Sequence, residues 1–277
     1  MTMPSKPAPE RGHSAPPLAD EFDELFRSEA HNGKGFARVV RMVDPAMPSE
    51  IEPFSFLSAN LLFHIRQQLA IDEGAILADL GCGRGGPGLW LARTTGAILI
   101  GIDFSPVATT LARQRAATSG MKANAHFVVA DLSATGLADH AVTSAISVDA
   151  LQYASDRTAA AVETRRILRP GGRLILTGWH PRHPGDSRLP ERHRFSNWPR
   201  VLTHAGFVDV ECTERPDWTE VYLRSYRTAL DLGDPDGDRA LAGLQAEARS
   251  RLPTAHLLHR VLVTATAGWP PRGGALR

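Results

Sequence analysis

The chain has 277 residues, which is enough for one well-buried α/β domain with a sizeable insertion. Its 31 basic and 30 acidic side chains nearly balance, so the charge gives no indication of a nucleic-acid partner, and no apolar run reaches membrane-spanning length. Its two cysteines, Cys82 and Cys212, exclude a disulfide scaffold and favour a reducing, cytoplasmic location.

The first 70 residues divide into a tail and a helical region. Residues 1–20 contain five prolines and no apolar core, which predicts a disordered tail rather than a signal peptide. Helical fragments are predicted within 21–53, and a more regular helix over 57–70. The apolar side chains of that second helix fall on one face: Leu57, Leu61, Leu62, Ile65 and Leu69.

A short strand followed by a glycine-rich loop is the most informative local pattern. Residues 76–80 are predicted to form a buried strand, and five glycines lie within 81–88 before an apolar run opens a helix. Because glycine has no Cβ, the backbone can approach a ligand closely, and we expect contacts at Gly81, Cys82 and Gly83. The glycine spacing also fits the dinucleotide fingerprint, so the loop alone leaves its ligand open.

Three acids at strand ends narrow the ligand. Asp79 lies two residues before the first glycine, where a carboxylate repels a phosphate-bearing ligand and attracts a free ammonium and a sulfonium. The predicted strand 98–102 ends at Asp103, which can accept both hydroxyls of a ribose. The predicted strand 126–130 ends at Asp131, which can accept the exocyclic amine of an adenine. Ammonium, ribose and adenine in this order describe S-adenosylmethionine laid across a sheet.

The pattern continues as strands and helices in alternation. Strands are predicted over 141–148 and 173–179, which implies a parallel sheet with right-handed crossovers, and a helix is predicted over 197–204. Residues 208–213 alternate between apolar and polar, which predicts an edge strand with one wet face. Residues 261–263 are continuously apolar and suit a buried interior strand.

The segment between the last two strands is longer than a hairpin needs. Its apolar residues fall on two helical faces, so we expect a helical cap at about 215–258 over the carboxyl ends of the strands. The two faces comprise Trp218, Val221, Tyr222, Tyr226 and Leu230, and then Leu241, Leu244 and Ala248.

The glycine loop, the strand-end acids and the run Leu168-Arg169-Pro170-Gly171-Gly172 after a predicted helix together resemble the class I S-adenosylmethionine-dependent methyltransferases. The resemblance covers about 69–179 and is specific as a set. It implies an α/β, Rossmann-like sheet of seven mostly parallel strands in the order 3-2-1-4-5-7-6, with helices on both faces. It also implies N-terminal helices over 21–70 that cover the cofactor cleft, and a methyltransferase domain over 71–277 with the cap as an insertion.

Within this family the chain looks most like the small-molecule enzymes of secondary metabolism, including rebeccamycin-type sugar O-methyltransferases. The resemblance implies S-adenosyl-L-methionine as cofactor and a small-molecule acceptor, with neither nucleic acid nor membrane as partner, and a homodimer is left open. The cofactor contacts that we expect are Asp79, Gly81, Cys82, Gly83, Asp103, Phe104, Asp131, Leu132 and Val148.

Catalytic groups are harder to identify, because methyl transfer mainly needs alignment and exclusion of water, with a base only for a protonated acceptor. Tyr153, after the fourth strand, is expected to border the methyl group and to orient or deprotonate the acceptor, or simply to line the pocket. His180, after the fifth strand, is the better candidate base, with His183 behind it. These histidines, Asp186 and His193 lie in a loop without fixed geometry or a thiolate, so no metal is expected.

Two rival functions remain open from the sequence. An NAD(P)-dependent oxidoreductase could use the same loop formula, but it would prefer no acid at Asp79 and does not predict Asp131. A non-catalytic binding subunit with a methyltransferase fold is the other rival, and the intact set of acids argues against it.

Overall fold

A computed structural model describes residues 20, 22–24, 26–27, 35–52 and 55–269. The tail predicted over 1–20 lies outside the described residues except for its last residue. That residue, Asp20, is helical together with residues 22–24 and 26–27, and these six residues are called the N-terminal segment below.

A seven-stranded sheet in the order β3-β2-β1-β4-β5-β7-β6 organises the fold. The strands are β1 (Ile76–Leu80), β2 (Ile98–Asp103), β3 (Ala125–Val129), β4 (Val142–Val148), β5 (Leu168–Pro181), β6 (Phe207–Glu214) and β7 (Leu258–Ala267). Strands β1 to β5 pair in parallel, whereas β7 runs antiparallel between β5 and β6. The predicted fold class and strand order are confirmed.

Helices cover both faces of this sheet. They are α1 (Gly35–Val43), α2 (Ala59–Leu69), α3 (Gly86–Thr95), α4 (Pro106–Thr118), α5 (Arg157–Ile167), α6 (Glu191–Arg194), α7 (Trp198–His204), α8 (Pro216–Asp231) and α9 (Arg239–Arg251), with 3₁₀ turns at Leu151–Tyr153 and Leu252–Leu257. In the part of the chain that the structure describes, no helix is both long enough and apolar enough to cross a membrane.

Two hydrophobic clusters lie on opposite faces of the sheet. Side chains alternate along β1, so Leu77 joins one cluster while Ala78 and Leu80 join the other. The first cluster contains residues of α1, α2, α3, α8 and α9, and the second contains residues of α5 and α7. Each fully buried leucine in them contributes about 1.5–3 kcal/mol. The three helices α1, α8 and α9 also pack on one another, at the end of the sheet where the strands' carboxyl ends lie.

Strand β6 lies at the sheet edge, as predicted, but its apolar side chains are not buried on one face. Val208 is 48% exposed, and Cys212 is exposed as well. The register against β7 shifts between Val208 and Glu211, where Asp209 has a φ of +50°. Such an irregularity interrupts the two-residue period on which the expectation of one dry face depended.

Strand β5 begins earlier than predicted, at Leu168 rather than Arg173. The run Pro170-Gly171-Gly172 is of a composition that usually breaks a strand, but here it lies within β5. It coincides with an irregularity in the pairing with β4, where the register shifts between Val142 and Ser144. The strand therefore starts directly where α5 ends.

Candidate active site

The carboxyl ends of the parallel strands open onto a cavity of about 610 Å³. Nine residues that were expected to contact a cofactor line it, and Tyr153 lines it with them. The nine are Asp79, Gly81, Cys82, Gly83, Asp103, Phe104, Asp131, Leu132 and Val148. Helices α1, α8 and α9 contribute the opposite wall, including Phe36, Tyr222 and Leu244.

The loop between β1 and α3 is held tightly against its neighbours. The N–H groups of Gly81 and Cys82 both donate to the carbonyl oxygen of Ile102, at 2.8 and 3.0 Å. Gly81 has a φ of +76°, and a Cβ at this position would overlap the side chain of Ala150. Glycine therefore lets the loop after β1 pack directly on the loop after β4.

Asp103 connects the glycine loop to the start of α4. Its Oδ2 accepts a hydrogen bond from the Gly83 N–H at 2.8 Å, and its Oδ1 accepts one from the Ser105 N–H at 2.9 Å. Burial raises the pKa of this carboxyl, and the two amides partly oppose that rise. Ser105 caps α4 by accepting a hydrogen bond from the Ala108 N–H at 2.9 Å.

Asp79 is the most unusual acid in the cavity. It is only 2% exposed, and its Oδ2 has no hydrogen-bond partner. A Cβ on Gly88 would overlap that oxygen, so the carboxyl lies against the first turn of α3. Burial, and then the neighbouring Asp103, raise its pKa to about 7, while the Gly88 amide lowers it slightly. A buried acceptor without a donor is suited to a cationic ligand.

Asp131 differs from the other two acids because it is exposed. Its Oδ1 accepts hydrogen bonds from the N–H and the hydroxyl of Ser133, at 2.7 and 2.6 Å. The carboxyl is therefore fixed by its own turn at the cavity edge, and Oδ2 is left for a ligand. Leu132, next along the chain, is buried and lines the cavity.

The N-terminal segment packs over the glycine loop. The Phe22 ring makes edge contacts with Phe104 and Tyr153, with centroid distances of 5.5 and 5.2 Å. The buried Asp23 accepts a hydrogen bond from the hydroxyl of Ser105. Phe22 also lines the cavity. The sequence pattern indicated helical fragments here, but it did not single out Asp23.

An ion pair between a buried arginine and a partly buried aspartate joins three strands beside the cavity, and the sequence did not indicate it. Asp149 follows β4 with a φ of +55°, and its carboxyl accepts hydrogen bonds from Arg260 and, at 2.9 Å, from the Thr177 hydroxyl. Arg260 is 0% exposed and also donates to the carbonyl oxygen of Phe56 at 2.6 Å. Asp149 lines the cavity, so this arrangement fixes the floor near Tyr153.

Aromatic rings form another part of the wall. Tyr222 lies at the centre, with ring centroids 4.5 Å from Tyr226, 4.7 Å from Phe56 and 4.7 Å from Trp179. Burial raises the pKa of Tyr222 to about 12, so its hydroxyl stays protonated. Trp218 does not line the cavity, because it packs in the core and donates to Asn60 Oδ1 at 2.9 Å.

The structure does not bring His180 into the cavity, which corrects its expected role as base. Side chains alternate along β5, so Trp179 faces the cavity and His180 faces α7. Its Nε2 accepts a hydrogen bond from the Trp198 N–H at 3.1 Å. Burial and the neighbouring His259 lower its pKa to about 4, so the ring is neutral at pH 7 and caps a helix. His183 is exposed and does not line the cavity.

His193 is the histidine that does line the cavity. It is 5% exposed, and its Nε2 accepts a hydrogen bond from Arg192 Nε at 3.2 Å. Burial, followed by nearby arginines, lowers its pKa to about 3. The neutral ring therefore carries its proton on Nδ1, which has no hydrogen-bond partner. The sequence placed it in a proline-rich loop and gave no signal of this position.

Comparisons with known proteins find similarity to methyltransferases. Residues 78–176 match the protein family described as a methyltransferase domain. Methyltransferase GfsG of Streptomyces halstedii is 32% identical over 185 aligned positions, and the alignment covers 62% of this chain and 66% of GfsG. Sterol 24-C-methyltransferase erg6 of Aspergillus fumigatus is 27% identical over 143 residues, covering 52% of this chain. The chain spans about two thirds of GfsG and 38% of erg6.

Two solved structures share the fold over most of the chain. The [4+2]-cyclase SpnF matches with a TM-score of 0.72 and 23% identity, over 92% of this chain and 97% of SpnF. Phosphoethanolamine N-methyltransferase 2 of Haemonchus contortus, in complex with S-adenosyl-L-methionine, matches with a TM-score of 0.73 and 18% identity, over 92% of this chain and 61% of that one. At these identities the similarity shows the fold alone.

Proposed function

From the match of residues 78–176 to a methyltransferase domain, we propose that the protein is a class I S-adenosylmethionine-dependent methyltransferase that transfers a methyl group to a small-molecule acceptor. The observation that carries the proposal is Asp79, a buried carboxyl beside the glycine loop whose Oδ2 has no donor. A ligand with a free ammonium supplies that donor and the compensating charge. A nicotinamide dinucleotide would instead bring phosphates towards this acid.

The cavity residues fit S-adenosylmethionine in their chemistry. Asp79 would hold the ammonium, Asp103 the ribose hydroxyls and Asp131 the adenine amine, while Phe104 and Leu132 would flank the base. Arg84, also in the glycine loop and lining the cavity, offers a cation for the amino-acid carboxylate. When bound, the cofactor supplies an electrophilic methyl group on a sulfonium.

The chain's own contribution is alignment and exclusion of water rather than a strong base. Burial raises the pKa of Tyr153, so near pH 7 its hydroxyl is protonated and can orient an acceptor by hydrogen bonding. Asp149 is held by Arg260, and His193 accepts from Arg192, so neither is set up to take a proton. We therefore assign Tyr153 an orienting role in an in-line displacement.

The acceptor is proposed to be a secondary metabolite. This follows the resemblance in the sequence to small-molecule enzymes of secondary metabolism. Two relatives are named as methyltransferases without an acceptor: GfsG, and phqN from Penicillium fellutanum, which is 31% identical over 127 residues. Among the fold neighbours, one from Streptomyces coelicolor is titled a geranyl diphosphate C-methyltransferase. The neighbour titled a [4+2]-cyclase has the same fold, so methyl transfer itself has to be measured.

Calorimetry with the full chain and S-adenosylmethionine, NAD or NADP tests the cofactor, and formation of S-adenosylhomocysteine with a panel of hydroxylated and aminated natural products tests transfer. We expect binding of S-adenosylmethionine alone and turnover with members of the panel. Preferential binding of a nicotinamide dinucleotide would refute the proposal. Binding of S-adenosylmethionine with no transfer to any panel member would favour a non-catalytic or cyclase-like role.

A further inference from the structure

One wall of the cavity carries arginines that form no ion pair. Arg192 and His193, on α6, line it together with Arg251 at the end of α9, and these three residues are called the basic wall. They are close to Tyr153, because the guanidinium carbon of Arg192 lies 5.2 Å from the centroid of the Tyr153 ring. Arg251 acts electrostatically on both Tyr153 and His193. The basic wall therefore faces the position proposed for the reacting acceptor.

The two arginines of the basic wall have no ion-pair partner within 4 Å among the described residues. By contrast, Arg115, which also lines the cavity, pairs with Glu52, and the buried Arg260 pairs with Asp149 at the cavity floor. Two acids lie close to the basic wall in sequence. Glu191 precedes Arg192 on α6, and Glu247, which also lines the cavity, lies one turn before Arg251 on α9; both are exposed, and neither forms an ion pair with the basic wall. Positive charge is thus in excess on this wall.

His193 adds an independent observation that indicates a ligand. Its ring is buried, its Nε2 is occupied by Arg192, and its Nδ1 proton has no acceptor. A buried donor without an acceptor is costly in a protein interior, because the N–H has lost its hydrogen bonds to water. An anion bound beside the arginines would provide the missing acceptor.

We propose that the basic wall binds an anionic group of the acceptor, a phosphate or a carboxylate. The inference rests on the proposed function and narrows its substrate class to acceptors that carry such a group apart from the atom that is methylated. The two ligands then bind to surfaces of opposite charge. The carboxylates of Asp79 and Asp103 suit the cationic cofactor, and the basic wall suits the anionic acceptor. Two planar guanidinium groups also fix the direction in which a bidentate anion enters.

The test uses calorimetry on the full chain with inorganic phosphate and with benzoate, which represent the two sources of negative charge. We expect at least one of them to bind, and Arg192→Gln and Arg251→Gln each to weaken that binding about tenfold. Arg249→Gln is the matched control, because Arg249 lies on the same helix, is exposed and does not line the cavity. S-adenosylmethionine is titrated into each variant in parallel and should bind as it does to the unmodified chain.

Binding of phosphate alone would identify a phosphorylated acceptor, and binding of benzoate alone a carboxylated one. Binding of neither anion would overturn the inference, as would variants of the basic wall that bind like the unmodified chain or a control variant that loses as much. Since the cofactor is titrated separately, its failure to bind would refute the proposed function while the anion titrations still judge the basic wall.

Discussion

Replacing Asp79 by asparagine separates the contribution of this acid to cofactor binding from its cost to the stability of the fold. The carboxyl has a pKa of about 7 in the folded protein against 3.8 as the ordinary value. At 1.36 kcal/mol for each tenfold change in the ionisation constant, ionising it in the ligand-free protein costs about 4 kcal/mol. Asparagine keeps the shape of the side chain without the charge. Its amide would be buried at the position of Oδ2, which has no hydrogen-bond partner, and this loss offsets about 2 kcal/mol of the gain in stability. We expect Asp79→Asn to be more stable by about 2 kcal/mol at pH 8.

The pH dependence follows from the sign of the shift. Between pH about 4 and about 7 the unfolded chain has released the Asp79 proton while the folded protein retains it. The free energy of unfolding of the unmodified protein therefore falls as the pH rises through this range and levels off above it. The variant lacks this fall, so the difference between the two grows from pH 5 to pH 8.

Urea and thermal denaturation of the ligand-free proteins at pH 5, 6, 7 and 8 measure this difference, which should reach about 4–8 °C in the unfolding midpoint at pH 8. Saturating S-adenosylmethionine should raise the midpoint of the unmodified protein much more than that of Asp79→Asn, because the cation then meets its carboxylate. Asp72→Asn, at an exposed position, is the control. A variant that is less stable at pH 8, or two pH profiles that run parallel, would refute the reasoning.

Three further changes test other parts of the site. Asp103→Ala should weaken S-adenosylmethionine binding in calorimetry about tenfold to a hundredfold, since a charge-assisted contact is lost, and unchanged affinity would remove Asp103 from the site. His180→Ala should lower the unfolding midpoint while turnover stays within threefold, because the ring caps α7 outside the cavity, and a loss of turnover of a hundredfold or more would return it to the mechanism. Arg260→Met removes the cation from the partly buried Asp149 and should cost about 3 kcal/mol of stability by urea denaturation, whereas adding Asp149→Leu should recover much of it. A single variant as stable as the unmodified protein would contradict that account.

The family resemblance made the sheet order predictable, and local patterns made the acids at its edge predictable. Asp79, Asp103 and Asp131 lie at or near the carboxyl ends of β1, β2 and β3, and parallel strands joined by right-handed crossovers bring those ends to one edge. Whether Trp179 or His180 faces the cavity depends on the register of β5, and the sequence does not determine that register beforehand. A pattern of residues that follow a strand therefore locates the edge of the site but not which side chain enters it.

Contacts between distant parts of the chain could not be predicted. Asp149 and Arg260 are 111 residues apart, and neither lies in a recognisable motif. The unpartnered nitrogen of His193 depends on the path of a loop rich in proline and arginine, where no periodicity constrains the backbone. Positions of this kind depend on tertiary packing, which overrides local propensity.

The order of the last three strands in the sheet constrains how the protein can fold while it is being synthesised. Strand β6 precedes β7 in the chain but pairs with β7 alone, so it has no place in the sheet until β7 has been made. Until β7 has been made, the edge of β5 that pairs with it stays uncovered. Asp149 also lacks its ion-pair partner until then, because Arg260 lies on β7. A nascent chain that ends before β7 therefore exposes an unpaired strand edge, which favours aggregation and engagement by chaperones. The cavity is completed only after the start of β7 has left the ribosome, because Leu258 is one of its lining residues.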